Sequence, residues 1–72
     1  MEKIDIRKYR RSMGKTQATC AKELGITTVY FSDLERGKNH PSPPLAVRIE
    51  AWSEYNIDRA TLRPDIWEWD RE

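Results

Sequence analysis

Residues 17–36 read QATCAKELGITTVYFSDLER, and their spacing decides how the chain folds. Cys20 and Leu24 stand four apart on one predicted helix and Phe31 and Leu34 three apart on a second, so each helix carries one apolar edge. Ala21 is small where the two edges meet, and a larger side chain there would push the helices apart. Gly25 follows Leu24 and can take the left-handed conformation that closes a helix. Ile26 adds an apolar residue to the turn, and Thr27 can cap the next helix by accepting a free backbone N–H. The stretch predicts two short helices crossing at a tight turn.

Working outward, Ile6, Tyr9 and Met13 recur at helical spacing as an edge expected to face the core, with Arg7, Lys8, Arg10 and Arg11 between them. A first helix is therefore expected from near Lys3 or Asp5 to Ser12 or Met13. Gly14 ends it, Thr16 caps a second helix over Gln17–Leu24, and a third runs from Thr28 to Arg36 before Gly37 stops it. The segment GKNHPSPP, residues 37–44, has three prolines and a glycine, which makes it an extended connector. Ser42 followed by Pro43 reads as the cap and first turn of a fourth helix reaching about Tyr55, with Leu45, Ile49 and Trp52 inward and Asn56 as a left-handed cap. A last helical turn, Asp58 to Leu62, is capped by Asp58 and stopped by Pro64. Beyond it PDIWEWDRE crowds Ile66, Trp67 and Trp69 together. No repeat, low-complexity tract or strand pair is visible, so the fold class is all-α, a compact bundle of four to five short helices.

A chain of 72 residues suits one domain, 1–72, with the paired helices at 17–36 and a short C-terminal tail at 57–72. It buries too little surface to enclose a substrate cavity, which argues against an enzyme, and no nucleophile–base pair is visible. No apolar run approaches the roughly 20 residues needed to span a bilayer, and the N-terminus, MEKIDIRKYRR, lacks the apolar stretch of a signal peptide, so a cytoplasmic protein with no membrane partner is expected. The single cysteine, Cys20, reads as a small core residue, and His40 is the only histidine. With no second ligand at metal spacing, neither a metal nor a cofactor is expected. Residues 1–44 hold nine Lys and Arg against five Asp and Glu, and residues 45–72 hold four against seven. That asymmetry suits a basic front that meets phosphate and an acidic rear.

The segment TQATCAKELGITTVYFSDLERGK resembles the helix-turn-helix of Cro/CI-type regulators, the XRE family, in its Thr-Gln opening, Ala-x-x-Leu-Gly turn and Leu-Glu-x-Gly close. The preceding IRKYRRSMGKTQ is similar to that family's first helix, and the tail ATLRPDIW is similar to the ends of small Cro-like prophage regulators of the YdaS-like group. The resemblance implies a lambda-repressor-like DNA-binding fold, double-stranded DNA as partner, and a structural salt bridge between Arg10 and Glu35. It also implies a small phage, prophage or bacterial repressor that occupies an operator. Two positions depart from the pattern: Cys20 stands where the family usually has Leu, and Asp33 is acidic where a polar or basic residue is common.

With Phe31 and Leu34 inward, Thr27, Thr28, Val29, Ser32 and Asp33 face outward as candidate base contacts, Val29 toward a thymine methyl and Asp33 toward a cytosine amino group. Tyr30 can edge the groove or lean back over the first helix, and partial exposure is expected. Candidate phosphate contacts are Gln17 at the start of the second helix, Arg36, Lys38, Asn39 and His40 after the third, and Arg11 on the first. One reading helix covers few base pairs, so a homodimer on an inverted repeat is expected. Tyr55, Leu62, Ile66, Trp67 and Trp69 are the candidate interface, the alternative being that tail aromatics finish the monomer core. Trp52 is expected in the core. A different class of function, an antitoxin whose tail binds a protein partner, fits the same acidic, tryptophan-rich rear.

Overall fold

Asp5, Thr16, Thr27, Ser42 and Asp58 each turn a side-chain oxygen onto a backbone N–H three or two residues ahead, and a helix starts after each one. The computed structural model describes residues 5–67. Its helices are α1 (Ile6–Ser12), α2 (Gln17–Leu24), α3 (Thr28–Glu35), α4 (Pro43–Trp52) and α5 (Arg59–Leu62), and no strand occurs among the described residues. α2 packs on α3, α1 lies against α3, α4 against α2, and α5 against α4. The apolar edges of the helices converge on Ile6, Tyr9, Cys20, Ala21, Leu24, Phe31, Leu34, Leu45, Ile49 and Ile57, with Ile26, Tyr30, Trp52 and Leu62 packed around them.

The turn between α2 and α3 is closed by Gly25 at φ +73, from which the N–H of Gly25 bonds to the carbonyl of Lys22 and that of Ile26 to Ala21 at 2.9 Å. This pair of bonds satisfies carbonyls that a helix end would otherwise leave open. The Arg48 guanidinium donates to the carbonyl of Leu24, so α4 also ties down the end of α2. A Cβ on Gly25 would lie 3.2 Å from that guanidinium as well as straining the backbone.

Four expectations are corrected. Met13 is about half exposed, because it is the C-cap of α1 and the chain turns away through Gly14. α3 ends at Glu35, with Arg36 as its cap. α4 stops at Trp52 rather than Tyr55, and the left-handed residues are Glu54 (φ 55) and Tyr55 (φ 67), not Asn56. The cause is Ser53, fully buried, whose hydroxyl donates to the carbonyl of Glu50 at 3.0 Å and accepts the N–H of Ile57 at 3.0 Å. That bond draws Ile57 into the core, so the chain must reverse two residues before the Asn. Asn56 instead donates its side-chain amide to the carbonyl of Ser53.

Trp52 packs edge-on against Tyr9 with ring centroids 5.2 Å apart, and its indole N–H reaches Glu23 at 2.8 Å. The Lys15 ammonium also meets Glu23 at 3.0 Å. These two donors hold the Glu23 carboxyl below the ordinary carboxylate range.

Candidate nucleic-acid interface

The start of α3 stands away from the core. Phe31 and Leu34 lock the inner side of this helix, while Thr27 and Thr28 are exposed and Val29 is 72% exposed, so Val29 has no packing role. Thr27 accepts the N–H of Tyr30 at 3.1 Å, which uses its oxygen as a cap and leaves its O–H to donate outward. Thr28 and Val29, the first two residues of α3, keep the N–H groups that a helix start leaves without intrahelical partners. Ser32 is half-buried, and Tyr30 is half-buried against the core.

The pitch of α3 relative to α1 and α2 is held from beneath by one carboxylate. The Glu35 side chain has no exposed surface. It receives Arg10 Nε at 2.6 Å and Arg10 Nη2 at 3.3 Å from α1, and Gln17 Nε2 at 2.9 Å from α2. Arg7 adds a longer contact at 3.5 Å. Burial by itself pushes this carboxyl up, but the hydrogen bonds from Arg10 and Gln17, with the charge of Arg10, outweigh it and hold Glu35 below its ordinary value. The geometry changes the reading of Gln17. One N–H of its side-chain amide is engaged by Glu35, which ties the side chain to the buried carboxylate, while the backbone N–H at the start of α2 stays available to a phosphate.

Asp33 is also differently placed from what its position on the helix suggests. Arg36 Nη2 meets one of its oxygens at 2.9 Å and Asn39 Nδ2 the other at 3.4 Å, leaving the side chain only 18% exposed. The base candidate and two phosphate candidates thus bond to one another. The turn that brings Asn39 back is built by Gly37 at φ +74, with the N–H of Lys38 on the carbonyl of Asp33 at 2.9 Å. By contrast Lys38, His40 and Arg11 are exposed, and no side-chain bond engages Lys38 or Arg11 among the described residues.

At the rear, Leu62 packs on the core and Trp67 is half-buried under the Arg59 guanidinium, 5.3 Å from the ring centroid. Arg59 is itself held by Glu50 at 2.8 Å. Arg63 donates to the carbonyl of Pro41 at 2.9 Å and ties the tail to the connector. Of the interface candidates, Tyr55 and Ile66 are the exposed ones, and Trp69 lies outside the described residues. Cys20 is completely buried, and burial pushes its thiol up, away from the reactive thiolate.

Among the described residues no three His, Cys, Asp or Glu side chains gather as a metal site, and no helix is long and apolar enough to cross a membrane. Part of this network has a local signature in the sequence, since Asp33 and Arg36 stand at the i, i+3 spacing of a helical ion pair. The engagement of Gln17 by Glu35 and of Arg48 by Leu24 joins residues 18 and 24 apart and has no local signature.

A family model described as helix-turn-helix matches residues 6–51, from the start of α1 almost to the end of α4. Neither a curated protein nor a solved structure matches the chain.

Proposed function

The chain belongs to the helix-turn-helix family of DNA-binding regulators, and from that premise we propose that it represses transcription by occupying an inverted-repeat operator as a homodimer. The observation that carries the reading is the start of α3, where Thr28 and Val29 are presented to solvent on a helix whose opposite side is locked by Phe31, Leu34 and Glu35. In the major groove the Val29 methyls meet a thymine methyl, and the hydroxyls of Thr27, Thr28 and Ser32 reach base edges or the adjacent backbone. The N–H groups at the start of α2, with Lys38, His40 and Arg11, meet phosphate and set the register of the helix. Arg36 and Asn39 join them when they leave Asp33. Tyr55 and Ile66, the exposed apolar side chains at the rear, supply the contact between protomers.

Selection of bound duplexes from a random pool tests the proposal. The expected product is an inverted repeat whose half-sites are centred about one helical turn, ~34 Å, apart. A pool that enriches no sequence refutes sequence-specific binding, and enrichment of a single half-site refutes the dimer.

A further inference from the structure

We propose that Asp33 is a specificity-determining residue that acts as an internal anion, occupying Arg36 and Asn39 and withholding them from the phosphates of arbitrary DNA. The inference rests on the DNA-binding reading above and names how one site within it is regulated. Its basis is an inequality within the candidate phosphate set. Lys38 and Arg11 carry free cations at the surface, whereas Arg36 is paired at 2.9 Å and Asn39 at 3.4 Å with the two oxygens of one carboxylate. Arg36 keeps 55% of its side chain in solvent while Asp33 keeps 18%, so the cation covers the anion rather than the reverse.

A phosphate that captures Arg36 therefore uncovers a carboxylate on the face turned toward a polyanion. The exchange replaces one neutralised anion with another, and the net gain from Arg36 is close to nil on a duplex that offers Asp33 nothing. Where a cytosine amino group lies within reach, the freed carboxylate gains a donor of its own. Binding through Arg36 is thereby favoured at that sequence and disfavoured elsewhere, which is discrimination by an unpaired charge.

The test is a double-mutant cycle on a fluorescently labelled random-sequence duplex of about two helical turns (~20 bp). Affinity is measured by anisotropy between about 50 and 200 mM salt for the unmodified chain, D33N, R36A and D33N/R36A. D33N is expected to steepen the log–log salt slope by about 0.9, one phosphate more, which makes its affinity gain roughly three- to fourfold larger at the lower salt. R36A is expected to abolish the D33N gain in the double variant. D33S, which lacks the amide, repeats the D33N result if removal of the charge is the cause. Weaker binding by both D33N and D33S overturns the proposal in favour of a positioning role. An equal gain with and without Arg36 overturns it in favour of a general charge effect. Absence of binding by the unmodified chain and every variant refutes the DNA-binding reading itself, and this inference with it.

Discussion

Replacing Glu35 by Ala removes the acceptor on which α1, α2 and α3 converge, and the cost can be worked from how well its partners would be rehydrated. Breaking a fully buried ion pair costs about 3–5 kcal/mol, because the surviving charge is stranded. Here Arg10 is not sealed: its side chain is 16% exposed and it retains the carbonyl of Lys15 at 3.1 Å, while Arg7 is 44% exposed. The freed guanidinium groups can turn to water, which brings the expected loss down to about 2–3 kcal/mol. Against a total of about 4–11 kcal/mol for a chain of this length that is a large fraction, and Tm should fall by about 10–20 °C. Glu35→Gln keeps one acceptor and should lose about half as much.

Thermal and urea unfolding of E35A, R10M and the double variant provide the assay, with a coupling of at least about 1 kcal/mol expected between the two sites. The pH dependence supplies a second check. Since the folded Glu35 carboxyl lies below its unfolded value of about 4.3, its contribution is fully present above that pH. It is lost as pH falls through the folded value. The stability gap between the unmodified chain and E35Q should therefore begin to narrow below the unfolded value and close once the pH passes below the folded one. A loss from E35A of less than about 0.5 kcal/mol, the scale of an exposed pair, would refute the view that this carboxylate sets the helix arrangement.

Glu54→Gly should stabilise, because left-handed backbone costs a residue with Cβ about 1–2 kcal/mol and the added freedom of the unfolded glycine offsets about 0.5–1 of it. The net, about 0.5–1 kcal/mol, raises Tm by roughly 2–8 °C, and a lower melting temperature would count against the reversal at Glu54. Lys38→Ala should weaken binding to all duplexes alike and shallow the salt slope by about one, whereas an unchanged slope removes Lys38 from the phosphate set. Val29→Ala should weaken binding to the selected site by about fivefold through one base pair, on the scale of a single mismatch. Uniform loss at every position, or none, in a base-by-base scan of that site would contradict a thymine contact.

The helices themselves were legible in the chain because their determinants are local. Thr16, Thr27, Ser42 and Asp58 can cap only the N–H groups a few residues ahead of them, and Gly25 and Gly37 mark ends wherever they occur in this pattern. The end of α4, misjudged by three residues, depends on a buried serine whose preference for Ile57 over solvent follows from the core and not from the neighbouring residues. The outward side of α3 was likewise readable, since placing Phe31 and Leu34 inward leaves Thr28 and Val29 no other direction. Which of those outward groups are free was not readable. Gln17 belongs to Glu35, and Asp33 holds Arg36 and Asn39, because a side chain chooses among partners only once the chain has brought them within about 3 Å.

By itself, then, the sequence determined the helices, the crossing at Ala21 and Gly25, and the side of α3 that faces out, all of which rest on spacing and on backbone sterics within a few residues. Tertiary structure alone decided the electrostatics of that side. Charges and amides far apart in the chain meet only after folding, and desolvation makes the engagement of Gln17 by the buried Glu35 far more consequential than the same residues would be in water.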